Sequence, residues 1–118
     1  MAQTKIQSRQ IGPPIVVTAT SYVGNVIPNA DVTDVLKITA QSGALLIKNP
    51  SGTLYDMQTL QIVIKDNTTP SALTYGVGFT GGTTVTLPNT TVAGRWLAMN
   101  FQYYTSDSLW HIQGYNQE

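Results

Sequence analysis

The chain of 118 residues has no cysteine, one histidine, six basic and six acidic residues. Without cysteine it can be neither a disulfide-stapled domain nor a thiolate-ligated zinc or iron–sulfur protein. The zero formal balance leaves no basic excess to neutralise phosphates, which argues against a nucleic-acid binder. No run approaches the ~18 consecutive apolar residues of a membrane-spanning helix. MAQTKIQSRQ has no apolar stretch of the kind that directs secretion, so synthesis and folding in a cytoplasm are expected. Little charge also means little of the repulsion that keeps proteins apart, which suits a chain that is assembled rather than dispersed.

Uncharged polar and β-branched residues take the place of charge. There are 17 Thr, 7 Ser, 7 Asn and 9 Gln, while Val and Ile add 10 and 9. With 42% of residues apolar and no net charge, the chain is not disordered by composition. Its length fits one domain with a core of its own.

Residues 1–14 read as an extended N-terminal arm, polar and closed by Gly12-Pro13-Pro14. Residues 15–118 read as one all-β domain of about eight strands at 8–12-residue spacing, with no helical period. Leu36 and Ile38 alternate with Lys37 and Thr39. Leu60, Ile62 and Ile64 alternate with Gln61, Val63 and Lys65, and Leu73, Tyr75, Val77 and Phe79 share a face. Thr83 to Leu87 reads as a strand ended by Pro88. Arg95 to Tyr104 is the longest strand, with Leu97, Met99, Phe101 and Tyr103 inward and Trp96, Ala98, Asn100 and Gln102 outward. Leu109 to Tyr115 closes the domain. This pattern predicts an antiparallel β-sandwich, jelly-roll-like in its strand number.

No group of residues announces catalysis or a cofactor. His111 sits in a strand without a Cys or a Ser/His/Asp spacing beside it, and reads as a half-buried or surface histidine. Asp31 and Asp34 lack the ligand series of a calcium loop and read as caps of a loop entering a strand. Gly76, Gly78, Gly81 and Gly82 open no helix, so they form no phosphate loop; they read as close backbone approach and a turn. Trp96 and Trp110 fall on neighbouring strands. They can be core residues of a second sheet, subunit-interface residues or platforms for a sugar.

From residue 49 onward the chain resembles a β-sandwich module of tailed-bacteriophage virion proteins. The pattern is carried by Pro50 and Gly52; Leu60, Ile62, Ile64, Lys65 and Asp66; Leu73, Thr74 and Tyr75; Leu87, Pro88, Thr90, Gly94 and Arg95; and Phe101, Tyr103 and Trp110. Tyr75 stands where such modules often have Trp. The resemblance implies a structural part of a virion with no catalytic residue, no cofactor and no metal. Its expected role is capsid decoration: binding and bridging major capsid subunits on the outer head surface, as a homotrimer, without contact to nucleic acid or membrane. The arm would anchor it through Ile6, Arg9, Ile11, Pro13 and Pro14, lying on an adjacent subunit or adding a strand to it. Trp96, Gln102, Tyr104 and Trp110 are the candidate interface residues. The alternative is a tail-fibre or head-fibre adhesin module that binds a host-surface glycan through outward aromatic and amide side chains.

Overall fold

A computed structural model describes residues 14–19, 24–67 and 69–118, and among them the chain is all-β, with nine strands and no helix. The strands are β1 (Val16–Ala19), β2 (Gly24–Val26), β3 (Val35–Gln41), β4 (Leu45–Ile47), β5 (Thr59–Asp66), β6 (Leu73–Tyr75), β7 (Phe79–Thr80), β8 (Trp96–Tyr104) and β9 (Leu109–Gln117). They form a six-stranded sheet in the order β1-β3-β5-β8-β9-β7 and a three-stranded sheet in the order β2-β4-β6.

The expected antiparallel pairing is found only between β5 and β8 and between β8 and β9. The other five strand pairs are parallel. From β1 to β6 the chain places successive strands alternately in the large and the small sheet, so strands two apart in sequence run side by side in the same direction. A two-residue periodicity fixes which side chains are buried, but not the direction of a strand's neighbour. The result is three stacked turns of chain, β1–β2, β3–β4 and β5–β6, followed by the β8–β9 hairpin on the large sheet.

One apolar cluster serves both sheets. The small sheet contributes Val26, Leu45, Ile47 and Leu73; the large sheet contributes Leu36, Ile38, Leu60, Ile62, Ile64, Leu97, Met99, Phe101, Tyr103, Trp110 and Ile112. Phe79 packs edge-on against Phe101 with ring centroids 5.1 Å apart. The inward and outward sides expected for the long strand are those observed. The apolar positions of the phage-module pattern are buried or half-buried.

Two local expectations need correction, and a third lies outside the described residues. Thr83 to Leu87 forms bends rather than a strand, although Val85 and Leu87 still pack on the core. Val77 is 90% exposed because Gly76–Phe79 turns, with the Phe79 N–H donating to the Gly76 carbonyl at 3.1 Å. No long N-terminal arm occurs among the described residues, since residues 1–13 lie outside them.

The loops hold together by the capping that the sequence suggests. Asp34 Oδ2 accepts from the Ile15 N–H at 2.7 Å and Asp31 Oδ1 from the Thr53 N–H at 3.0 Å. At the 49–52 turn, Gly52 adopts φ 94°, a left-handed conformation that favours glycine, and a Cβ there would lie 2.8 Å from Asp31 Cγ.

Candidate functional site

The outer face of the six-stranded sheet collects the outward residues of five neighbouring strands. Register sets them in rows. Val16, Val35, Gln61, Asn100 and Gly114 form one row; Thr59, Gln102 and His111 form the next. A register shift in β9 after Asn100 inserts Gln113 into this surface, since Asn100 pairs with Gly114 while Phe101 pairs with Ile112. Of these residues Val35, Thr59, Gln61, Asn100, Gln102 and Gln113, together with Pro14 and Asp34, line an open cleft of about 340 Å³.

Carboxamides dominate the cleft: Gln61, Asn100, Gln102 and Gln113. Gln102 Nε2 donates to the Met57 carbonyl at 3.3 Å, and Gln113 Nε2 to the His111 carbonyl at 3.3 Å and to the Tyr104 hydroxyl at 3.4 Å. Each amide has both donor and acceptor capacity, so the cleft can meet uncharged polar groups of either kind.

Aromatic clusters flank it at both ends of β8. At one end Trp96, half-buried, sits with Lys37 Nζ 5.5 Å and Lys65 Nζ 5.6 Å from its ring centroid. Each such contact contributes about 0.5–1 kcal/mol at an exposed site and fixes the indole. At the other end Tyr104 stacks on His111 with centroids 4.2 Å apart, and His111 Nε2 lies 2.7 Å from Asp107 Oδ2. The pair is open to solvent, and no hydroxyl bonds to it among the described residues. Its evident effect is to stiffen the β8–β9 turn.

Of the four expected interface residues, Trp96, Gln102 and Tyr104 share this outer face and are half-buried. Trp110 does not belong with them: it is 1% exposed and packs against Tyr103 at 5.2 Å on the inner face. The hairpin register explains this, because Trp110 pairs with inward-facing Tyr103 across the strands. Of the expected arm contacts, Pro14 is exposed at the rim of the cleft, while Ile6, Arg9, Ile11 and Pro13 lie outside the described residues. The outward positions of Gln61, Asn100 and Gln102 follow from alternation; the inclusion of Gln113 follows from the register shift, which no spacing signals.

A second surface feature lies by the small sheet. Ile27, Leu46 and Val77 form a shallow apolar patch edged by Lys48, Asn49 and Gly76. Ile27 is 55% exposed. Among the described residues no group of three or more His, Cys, Asp or Glu is placed to hold a metal ion.

In comparisons with protein-family models, with curated proteins and with solved structures, nothing matches this chain.

Proposed function

We propose that the chain is a virion structural protein of the capsid-decoration type, which docks through the outer face of its large sheet onto neighbouring coat subunits. The observation that carries this reading is that face itself. It is a continuous surface of amides, hydroxyls and fixed aromatic rings, with Trp96, Gln102 and Tyr104 along one strand. Aromatic side chains held rigid by neighbours are the kind that anchor protein interfaces, and amides around them supply hydrogen bonds without long-range steering. The resemblance of residues 49–118 to the phage module supports a place in a virion. Both sheets draw on one core, which supports a sandwich arrangement, with parallel pairing in place of a jelly roll's antiparallel one.

The test adds the purified full chain to capsids of the encoding virus that lack it, beside an Asn100→Arg, Gln102→Arg variant. Saturable binding in many copies on the head, lost in the variant, is the expected result. No binding to the head, or a few copies confined to the tail, overturns the reading. The cleft supports a second reading, glycan recognition by an adhesin module, because amides beside aromatic rings suit a neutral polyhydroxylated ligand. Saturable binding of a neutral oligosaccharide, abolished by the same variant, would move the assignment there.

A further inference from the structure

Residues 14–118 carry four basic side chains, Lys37, Lys48, Lys65 and Arg95, and the fold brings two of them to one indole. Lys65 pairs directly across the ladder with Trp96. Lys37 lies two strands away, opposite Val63, yet its Nζ is as close to the ring as that of Lys65, 5.5 Å against 5.6 Å. Both stand on the outer face of the large sheet, where Trp96 is half-buried and Lys65 exposed.

These two charges have no counter-charge of their own. Among the described residues neither lysine meets a carboxylate within ion-pair distance or donates a hydrogen bond. The acids of the same face are engaged elsewhere. Asp34 Oδ2 accepts from the Ile15 N–H at 2.7 Å, Asp107 pairs with His111 at 2.7 Å, and Glu118 Oε1 accepts from the Trp96 N–H at 3.4 Å. A ring face attracts an ammonium group, but two like charges at one ring repel each other. An anion brought to both relieves that repulsion and gains a charge-assisted hydrogen bond from each.

We propose that Trp96 with Lys37 and Lys65 is the point where the outer face takes an acidic side chain, Glu or Asp, of a protein partner, its carboxylate held by the two ammonium groups and its stem against the indole. The inference rests on the reading that this face meets protein, and it names the chemistry of the partner at one end of β8. Charge complementarity selects the acid. The shape of the site selects a protein: small ligands need concave pockets, and neither the amide cleft nor the apolar patch includes Lys37, Lys65 or Trp96. On both sides of the charged pair the sheet offers the half-buried apolar side chains Val63 and Ala98 and then the amides, a core-and-rim pattern suited to a broad contact.

The experiment titrates the full chain with a blocked peptide of alternating glycine and glutamate and follows tryptophan emission. Trp110, 1% exposed, supplies a constant background. Saturable change is expected with this peptide and none with its glycine–glutamine counterpart, and the change should disappear as salt shortens the screening length from about 30 Å to about 3 Å. A Lys37→Gln, Lys65→Gln variant should lose the response with an unchanged far-UV spectrum. A Lys37→Arg, Lys65→Arg variant and a Lys48→Gln variant should keep it. No saturable change, an equal response to the glutamine peptide, or a response that survives loss of both lysines overturns the proposal. So does stronger binding of inorganic phosphate or of polygalacturonate, which would make the site one for a free anion or an acidic glycan. Failure here beside intact binding to heads strikes this site alone, whereas a peptide response beside absent head binding strikes the capsid reading and leaves the site.

Discussion

Thr91→Val removes one hydroxyl and leaves the side chain its shape, and the structure assigns that hydroxyl two tasks. Thr91 Oγ1 donates to Asp66 Oδ2 and accepts from the Ser71 N–H at 2.7 Å. All three residues are buried: Asp66 is 1%, Thr91 2% and Ser71 5% exposed. The chain of bonds ties the end of β5 to the segments that cover the edge of β6. Valine fills the same space, so no cavity contributes. What remains is an unpaired Ser71 N–H and an Asp66 Oδ2 without its partner. Each buried orphan costs about 1–3 kcal/mol, giving a loss of about 2–6 kcal/mol. Against a total stability of about 5–15 kcal/mol, that is a large share.

Equilibrium urea unfolding measures it: the midpoint should fall while the slope stays that of the parent. Asp66→Asn is the control. It keeps an acceptor for Thr91, and Asp66 Oδ1, which has no hydrogen-bond partner among the described residues, is the atom exchanged for an amide nitrogen. One unpaired group replaces another, so stability should shift by less than about 1 kcal/mol. Combining Thr91→Val with Asp66→Leu removes both partners of the side-chain bond, and should cost less than the sum of the single changes by about 0.5–3 kcal/mol. A Thr91→Val loss below about 1 kcal/mol, or strict additivity in the double variant, refutes the reasoning.

Two further changes probe the small sheet's surroundings. Gly76→Ala places a Cβ 2.9 Å from the Asn49 backbone nitrogen and against Asn49 Oδ1, which itself holds the Gly78 N–H at 2.8 Å. The side chain can swing away but the backbone cannot, so a loss of about 1–3 kcal/mol is expected in the same urea assay. Tyr75→Phe removes a hydroxyl that donates to the Pro88 carbonyl at 2.6 Å, and should cost about 1 kcal/mol at neutral pH. Burial holds the Tyr75 phenol above its ordinary range. Since the folded value exceeds the unfolded one near 10, Tyr75's contribution is full below about pH 10 and lost as pH rises through the folded value. Urea midpoints at neutral and strongly alkaline pH should therefore converge between parent and Tyr75→Phe; a gap that stays constant contradicts the burial argument.

The long strands were legible in the sequence because each separates two unlike faces. On β5 and β8 every second residue is buried, all of them apolar but Asp66, and an alternation that regular has one reading. Thr83–Leu87 has the same local character but no ladder partner, and strand propensity without a neighbour's backbone leaves a packed, irregular segment. Val77 fails for a different reason: the chain turns at 76–79, where Gly76 and Gly78 pass close to Asn49, and the periodicity continues through the turn by coincidence.

The site divides along the same physical line. The facing of a residue is a local property, and so Trp96, Gln102 and Tyr104 were placed on one side by alternation alone. Trp110 needed one more step, which the sequence also permitted. A turn at 105–108 joins β8 to β9, antiparallel hairpin partners share a face, and Tyr103 inward therefore draws Trp110 inward. The cleft and the strand order were not accessible in this way. Gln61 meets Asn100 because β5 and β8 pair at one register out of several, and Gln113 joins them through a shift in β9. β1 and β2 come to the same end of the stack because the chain alternates between sheets. Register and strand order are set by the summed burial of many side chains, not by any one segment. The amide cleft therefore rests on the most distributed features of the fold, so a change of register in β9 should alter it before it alters the core.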